Sequence, residues 1–371
     1  GYNGSVHTWK NCVAGGKVGT YNNGSPVYDS YTEEEKVKYL GVFKAGVDSV
    51  LENITYLVGT TEPGAGEGEA ELSILFIGNS FTKDAVEHLP GLLKAAGLDK
   101  VQLTHMYYGG RLVSEYYAGW STSSDYKCYE CGPGATTWTE TTGKTLKQVA
   151  ESRSWDIITI QEHTGNAAAW TWNSTAQANL QGMINSAKAT QTGAMPKFYY
   201  IMSQAYFNMG KIGSGSQPSM TWTDQAGMWE VISAFGKKVM ENVSFDGIIS
   251  TGAMLQNLRT SNLDNEMNLT RDGYHMDNGI SRYGASCTVF ESLITPKFSV
   301  TMDGNSYRFA TSDTGESSYT TPVTDVNAPV ALQAARYAIQ SPYTVTDMSN
   351  YQENVPGNSI GDVEYKEGSK E

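Results

Sequence analysis

The stretch Leu72-Ser73-Ile74-Leu75-Phe76-Ile77-Gly78-Asn79-Ser80-Phe81 decides how this chain folds. A short, unbroken apolar run closed by a glycine is the pattern of a strand buried on both faces, and the serine that follows falls at the turn into a helix. Gly78 permits a tight backbone there, and the first N–H groups of a helix point at whatever negative group is held beside the serine. That is half of an oxyanion hole. Taken alone, a serine at the start of a helix is more often simply an N-cap.

Outward from this run, strands and helices alternate. Phe81 to Ala96 reads as a helix, Val101 to Tyr107 as a strand ending at Gly109-Gly110, Thr145 to Ser152 as a helix and Asp156 to Ile160 as a strand. Helix Thr175 to Thr190, strand Phe198 to Met202, helix Asp224 to Glu241, strand Phe245 to Ser250 and a closing helix Gly279 to Ile294 complete the series. Five strands alternating with helices predict a mainly parallel five-stranded sheet inside a three-layer α/β/α sandwich. Trp120 to Gly143, rich in Ser, Thr, Gly and aromatics, is predicted to be a long surface excursion. Tyr307 to Thr321 reads as an inserted hairpin and Val330 to Ile339 as one more helix.

The Gly/Glu/Pro stretch at 61–71 lacks apolar periodicity and reads as a linker. Upstream of it, Thr32 with Glu35 makes a capping-box pattern, and Val37, Leu40, Phe43, Val47, Val50, Leu51, Ile54 and Leu57 follow at helical spacing. The expected organisation is an N-terminal helical or irregular segment (1–60), the linker (61–71), the main domain (72–345) and a C-terminal tail (346–371).

Net charge is −13, and no Lys/Arg run offers a footprint for phosphates, which argues against nucleic acid and anionic bilayers as partners. No apolar stretch reaches the roughly 20 residues that span a bilayer. The chain opens at Gly1 without a charged-then-apolar leader, and its acidic, Tyr/Asn/Ser/Thr/Gly-rich composition is similar to that of exported bacterial proteins that handle glycans. Export is therefore expected, whether to the periplasm, to the cell surface as a lipoprotein, or into the medium. Four cysteines are too few for a disulfide scaffold and lack the paired spacing of a zinc site, so no metal or other cofactor is expected. Cys128 and Cys131 have two readings, a local disulfide in an exported protein or two free thiols.

In a doubly wound sheet, ligands gather beyond the carboxyl ends of the strands. Ser80 follows the first strand, Gly109-Gly110 the second, and Gln161-Glu162-His163 the third, so all three meet that test. Asp272-Gly273-Tyr274-His275 precedes the closing helix, and an Asp and a His three apart on one loop can bond to each other while the second ring nitrogen takes a serine proton. Asp277 is the competing orienter, with a spacing to His275 that suits contact less well. Tyr107, Tyr108, Tyr116, Tyr117, Trp120, Trp170 and Trp172 lie in or beside loops at this end. Their rings suit either stacking on sugars or the edge of the core.

The ordered set Gly78-Asn79-Ser80-Phe81, Gly109-Gly110, Gln161 and Asp272-x-x-His275 resembles the blocks of the SGNH (GDSL-like) hydrolase superfamily. Leu269-Thr270-Arg271-Asp272-Gly273-Tyr274-His275 is similar to a bacterial carbohydrate-esterase-like subgroup, a domain family of uncharacterised function common in gut Bacteroidetes. The resemblance covers about residues 72 to 345. It implies a flavodoxin-like fold in which Ser80 attacks an ester carbonyl, His275 is general base and then acid, and Asp272 orients His275. It also implies an oxyanion hole formed by the backbone N–H groups of Ser80 and Gly110 and a side-chain amide. The usual Gly-x-Asn-Asp after the third strand is absent here, which leaves Gln161 or, deeper in the loop, Asn166 for that amide. The implied activity is removal of O-acyl groups, acetyl above all, from an acylated glycan, with Tyr108, Trp120 and Trp170 as sugar-binding residues. Two other readings stand beside it: a lipid or aryl esterase, and a catalytically inactive glycan-binding surface protein on the same scaffold.

Overall fold

The computed structural model describes residues 70–169, 172–207, 224–310 and 320–351, together with three short N-terminal strands. The chain divides into two units, 1–65 and 66–371. In the first, β1 (His7–Trp9), β2 (Gly19–Asn22) and β3 (Ser25–Val27) pair antiparallel in that order. The helix expected from Thr32 onward, and the linker as far as residue 69, lie outside the described residues.

The second unit is built on a seven-stranded sheet of β4 (Leu72–Gly78), β5 (Val101–Tyr107), β6 (Lys127–Cys131), β7 (Thr139–Thr142), β8 (Ile157–Gln161), β9 (Lys197–Ile201) and β10 (Gly247–Ile249). Its order is β10-β9-β8-β4-β5-β6-β7. The first five in that order are parallel, and they are the five strands expected. Taken in chain order they run second-first-third-fourth-fifth, the flavodoxin-like winding, with its switch point between β4 and β8.

The sheet has two strands more than the alternation predicts, because the supposed surface excursion holds β6 and β7, added antiparallel beyond β5. Their sequences, Lys-Cys-Tyr-Glu-Cys and Thr-Glu-Thr-Thr, carry no apolar run. Ladder hydrogen bonds join β6 to β5 and β7 to β6, and only the two cysteines of β6 reach the core, so apolar periodicity does not reveal either strand. Cys128 and Cys131 both lie on β6, at an odd spacing that sends successive side chains to opposite faces of the sheet. They are free thiols, and burial pushes them up to about 11 and about 12.

The helices are α1 (Ser80–Val86), α2 (Leu89–Ala95), α3 (Val113–Ala118), α4 (Leu146–Glu151), α5 (Thr164–Ala169), α6 (Ser174–Thr190), α7 (Gln225–Asn242), α8 (Thr251–Arg259), α9 (Ile280–Val289), α10 (Thr295–Phe298) and α11 (Ala328–Gln340). A π turn, Phe290–Ile294, joins α9 to α10. One layer gathers α1, α2, α8, α9 and α11; in the other, α6 packs on α3 and α4, and α5 on α7. This is the three-layer sandwich. The single helix expected over Phe81 to Ala96 is two helices, since Pro90 has no N–H to give and its ring collides with the carbonyl four residues back, so the first helix stops at Val86.

Ile74, Leu75, Phe76 and Ile77 are buried, and the core spreads from them into both layers. Of the hairpin expected over Tyr307 to Thr321, residues 311–319 lie outside the described residues; at its base Phe309 bridges Val323 antiparallel. Past residue 345 the chain still packs on the main body. Met348 is buried, and the backbone N–H groups of Thr346 and Met348 donate to Asn257 Oδ1 and Thr260 Oγ1.

Candidate active site

Ser80 stands at the first position of α1, directly beyond β4, and is half-buried. Four contacts shape the turn that presents it. Asn79 Oδ1 accepts the Phe81 N–H at 3.0 Å and caps the helix. Gln161 Oε1, at the end of β8, accepts the Asn79 N–H and the Thr82 hydroxyl, each at 3.1 Å. His105, on β5, donates its Nε2–H to the Gly78 carbonyl at 3.1 Å. At Gly78 a Cβ would lie 2.1 Å from Thr82 Oγ1, so nothing larger than glycine fits.

From the far end of the domain, the loop before α9 reaches back to this turn. His275 Nε2 lies 2.7 Å from Ser80 Oγ, and His275 Nδ1 lies 2.6 Å from Asp272 Oδ2. A carboxylate accepts only, so Nδ1 carries the proton and the Nε2 lone pair receives the serine O–H. Asp272 Oδ1 meanwhile accepts the backbone N–H groups of Tyr274 and His275 at 3.1 and 2.8 Å. Burial alone would raise the Asp272 carboxyl, but the imidazole and these N–H groups outweigh it and hold the group below the ordinary carboxylate value. The loop is closed by a bridge between Thr270 and Met276, and Gly273 turns it with φ +98°. Asp277, the rival orienter, is buried and caps α9 by accepting the N–H groups of Gly279 and Ser281.

The backbone N–H groups of Ser80 and Gly110 donate to no protein acceptor among the described residues. The loop that carries Gly110 is tied to the Ser80 turn, because Asn79 Nδ2 donates to the Arg111 carbonyl at 3.4 Å. Arg111 is itself clamped by Asp125, with its guanidinium 3.7 Å from the centre of the Tyr108 ring. Of the two side-chain amides expected as a third donor, that of Gln161 has both protons engaged elsewhere and that of Asn166 gives one to Glu162. Gln161 turns its oxygen to the Ser80 turn and gives its amide protons to the Glu162 carbonyl and Ser203 Oγ. Asn166 donates to the buried Glu162 carboxylate, which also accepts the N–H groups of Val113 and His163 at 3.1 and 2.8 Å.

Of the three aromatics expected to hold sugar, Tyr108 is 37% exposed, whereas Trp120 is only 9% exposed and belongs to the core. Its place in the turn after α3 folds the ring inward, which its position in a polar stretch does not betray. Trp170 lies outside the described residues. Sequence reasoning passed over the rings that do surround the imidazole. Tyr274, 45% exposed, has its ring centre 4.4 Å from that of His275, Phe81 meets His275 edge-on at 5.4 Å, and Tyr206 joins both. The signal for Tyr274 was present, since it is the residue before His275. Among the described residues no cluster of His, Cys, Asp and Glu could hold a metal ion, and no helix is long and apolar enough to cross a membrane.

A hydroxyl, an imidazole and a carboxylate in hydrogen-bonded series at the rim of a doubly wound sheet form an arrangement able to generate a serine nucleophile. Comparison with solved structures finds a DUF4886 family protein from Bacteroides uniformis, which superposes with a TM-score of 0.62 at 26% identity over 75% of this chain and 98% of the other. Two further structures superpose only loosely. A salicylyl-acyltransferase from a tetracycline biosynthetic pathway has a TM-score of 0.32 and 9% identity over 62% of this chain and 56% of its own. A gut microbial diltiazem-metabolizing enzyme has a TM-score of 0.35 and 11% identity over 63% of this chain and 48% of its own. Neither bears on the activity. No curated protein sequence matches the chain. A family described as a domain of unknown function matches residues 73–324, more than half of the chain, which therefore belongs to the DUF4886 family.

Proposed function

We propose that this chain is a serine esterase of the SGNH-hydrolase type, acting on O-acylated, chiefly O-acetylated, carbohydrate. The observation that carries the reading is the unbroken series Ser80 Oγ, His275 Nε2, His275 Nδ1, Asp272 Oδ2, with contacts of 2.7 and 2.6 Å. In this mechanism Ser80 Oγ attacks the ester carbonyl as its proton passes to His275 Nε2. The N–H groups of Ser80 and Gly110 receive the developing oxyanion. Collapse breaks the ester bond, the departing alkoxide takes the proton from His275, and a water deprotonated by the same nitrogen then releases the carboxylate and restores Ser80.

Gln161 acts here by setting the Ser80 turn, in place of the donor role first expected of it. Two partners of that turn, Asn79 N–H and Thr82 Oγ1–H, depend on its oxygen. The carbohydrate part of the reading rests on the family resemblance and on the exposed rings of Tyr274 and Tyr108.

The test compares acetate release from acetylated xylan by the wild type and by Ser80→Ala, with a long-chain ester as a parallel substrate. Loss of a triad member is expected to lower kcat by about 10³-fold or more. Equal rates in the two proteins remove the assignment, and preference for the long-chain ester moves it to a lipid esterase. Binding of the polysaccharide without acetate release, with no labelling of Ser80 by a fluorophosphonate, identifies a retired scaffold instead.

A further inference from the structure

Asp84 lies one helical turn after Ser80 on α1, so the two side chains share a face of the helix. It is fully buried and holds three donors. Oδ1 accepts Arg271 Nη1 at 2.9 Å and Arg282 Nε at 2.8 Å, and Oδ2 accepts the Met276 N–H at 3.0 Å. Arg271 Nη1 also donates to the Met276 carbonyl at 2.6 Å. Arg271 and Met276 are the residues that flank Asp272 and His275, while Arg282 comes from α9 behind them. One carboxylate on the Ser80 helix therefore grips both ends of the segment that brings the carboxylate and imidazole to Ser80.

We infer that Asp84 is a positioning residue for the proposed reaction, holding the Asp272–His275 segment in register with Ser80 through its bonds to Arg271, Arg282 and Met276. The inference rests on the esterase reading and adds a residue to it. Buried carboxylates are costly unless every lone pair is used, and an ion cluster could have been spent anywhere in the core. This one spans the three pieces of chain on which the 2.7 Å Ser80–His275 contact depends. Displacement of a reacting group by about 1 Å costs on the order of 10²-fold in rate, so slack in this clamp appears in turnover before it appears in substrate affinity.

The experiment is Asp84→Asn in the full chain, assayed with a short-chain aryl acetate. The amide retains the size of the carboxylate but cannot serve all three donors. Expected is a fall in kcat of about 10–100-fold with KM changed less than about twofold, and loss of the strongly downfield proton resonance of the His275 Nδ1–H. A folded Asp84→Asn with wild-type kcat and an unchanged resonance overturns the inference. Should that variant not fold, Arg271→Gln removes one arm while Arg282 still neutralises Asp84, and Arg271→Lys returns a charged donor. A drop of about tenfold in the Gln variant, partly restored by Lys, supports the role, and wild-type kcat in both overturns it. A wild type that neither hydrolyses the ester nor reacts with a fluorophosphonate defeats the esterase reading by itself, and the imidazole proton still decides whether Asp84 sets the segment.

Discussion

His105 reaches across from β5 and places its Nε2–H on the carbonyl of Gly78, the last residue of β4 and two residues before Ser80. The imidazole is fully buried, and burial pushes it down to about 3, so it is neutral at physiological pH. Replacing it with Leu removes a donor from a buried carbonyl and should lower stability by about 1–3 kcal/mol at pH 7, read from urea unfolding. Between its unfolded value near 6.5 and its folded value near 3, the unfolded chain binds the proton that the folded one refuses. Stability is therefore fully present above about pH 6.5 and declines on acidification towards about 3. His105→Gln, which still offers an N–H, should lack this part of the decline; an identical acid limb in variant and wild type would refute the account.

Asp272→Asn keeps an oxygen to accept the N–H groups of Tyr274 and His275, so the loop should hold its shape. What it loses is the acceptor that fixes the proton on Nδ1. By analogy with other triads, kcat should fall by about 10³–10⁴-fold at neutral pH with thermal stability nearly unchanged. A decrease below tenfold would mean that His275 does not depend on this partner.

Glu162 is buried beside the strand end, and burial raises its carboxyl to about 7 although Val113, His163 and Asn166 donate to it. The folded chain thus retains a proton between about 4.5 and about 7 that the unfolded chain has released. The sign is opposite to that of His105, since stability falls as pH rises through this window. Glu162→Gln should remove the fall and gain on the order of 3 kcal/mol over the wild type above pH 7, counting 1.36 kcal/mol per unit. Denaturation measured at pH 5 and pH 8 gives the difference, and a gain that does not change between the two values would contradict it.

Tyr274 lies against His275, the group that hands a proton to the departing alcohol in the proposed mechanism. Its exposed ring should therefore meet the alcohol half of the ester. Tyr274→Ala is expected to raise KM for acetylated xylan by about tenfold, the scale of a stacking contact of about 1.4 kcal/mol. Hydrolysis of a small acyclic acetate should change little, and equal effects on both substrates would place the sugar elsewhere.

Much of this arrangement could be read from the chain because the informative patterns are local. An apolar run ending at Gly78 marks a buried strand, and Asp272 and His275 sit close enough together to announce a pair. Lys127–Cys131 and Thr139–Thr142 escaped because neither carries an unbroken apolar run: the first, ladder-bonded to a strand on each side, buries only its two cysteines, and the second is an edge strand that is mostly exposed. Asp84 escaped for another reason. Its partners Arg271, Met276 and Arg282 lie 187, 192 and 198 residues away, and no periodicity in one helix encodes a contact of that range. The duty of Gln161 depends on which way an amide faces, which is settled by the Asn79 N–H and Thr82 hydroxyl opposite it and not by its own position.

The two outermost strands of the large sheet bear on how the protein behaves when concentrated. β10 offers only three residues to an approaching chain, and β7 presents Thr139-Glu140-Thr141-Thr142, mostly exposed, with Glu140 paired to Lys127 at 3.0 Å. An incoming strand would find a ledge too brief at one side and a charged one at the other. The sheet is thus a poor template for lateral growth into fibrils.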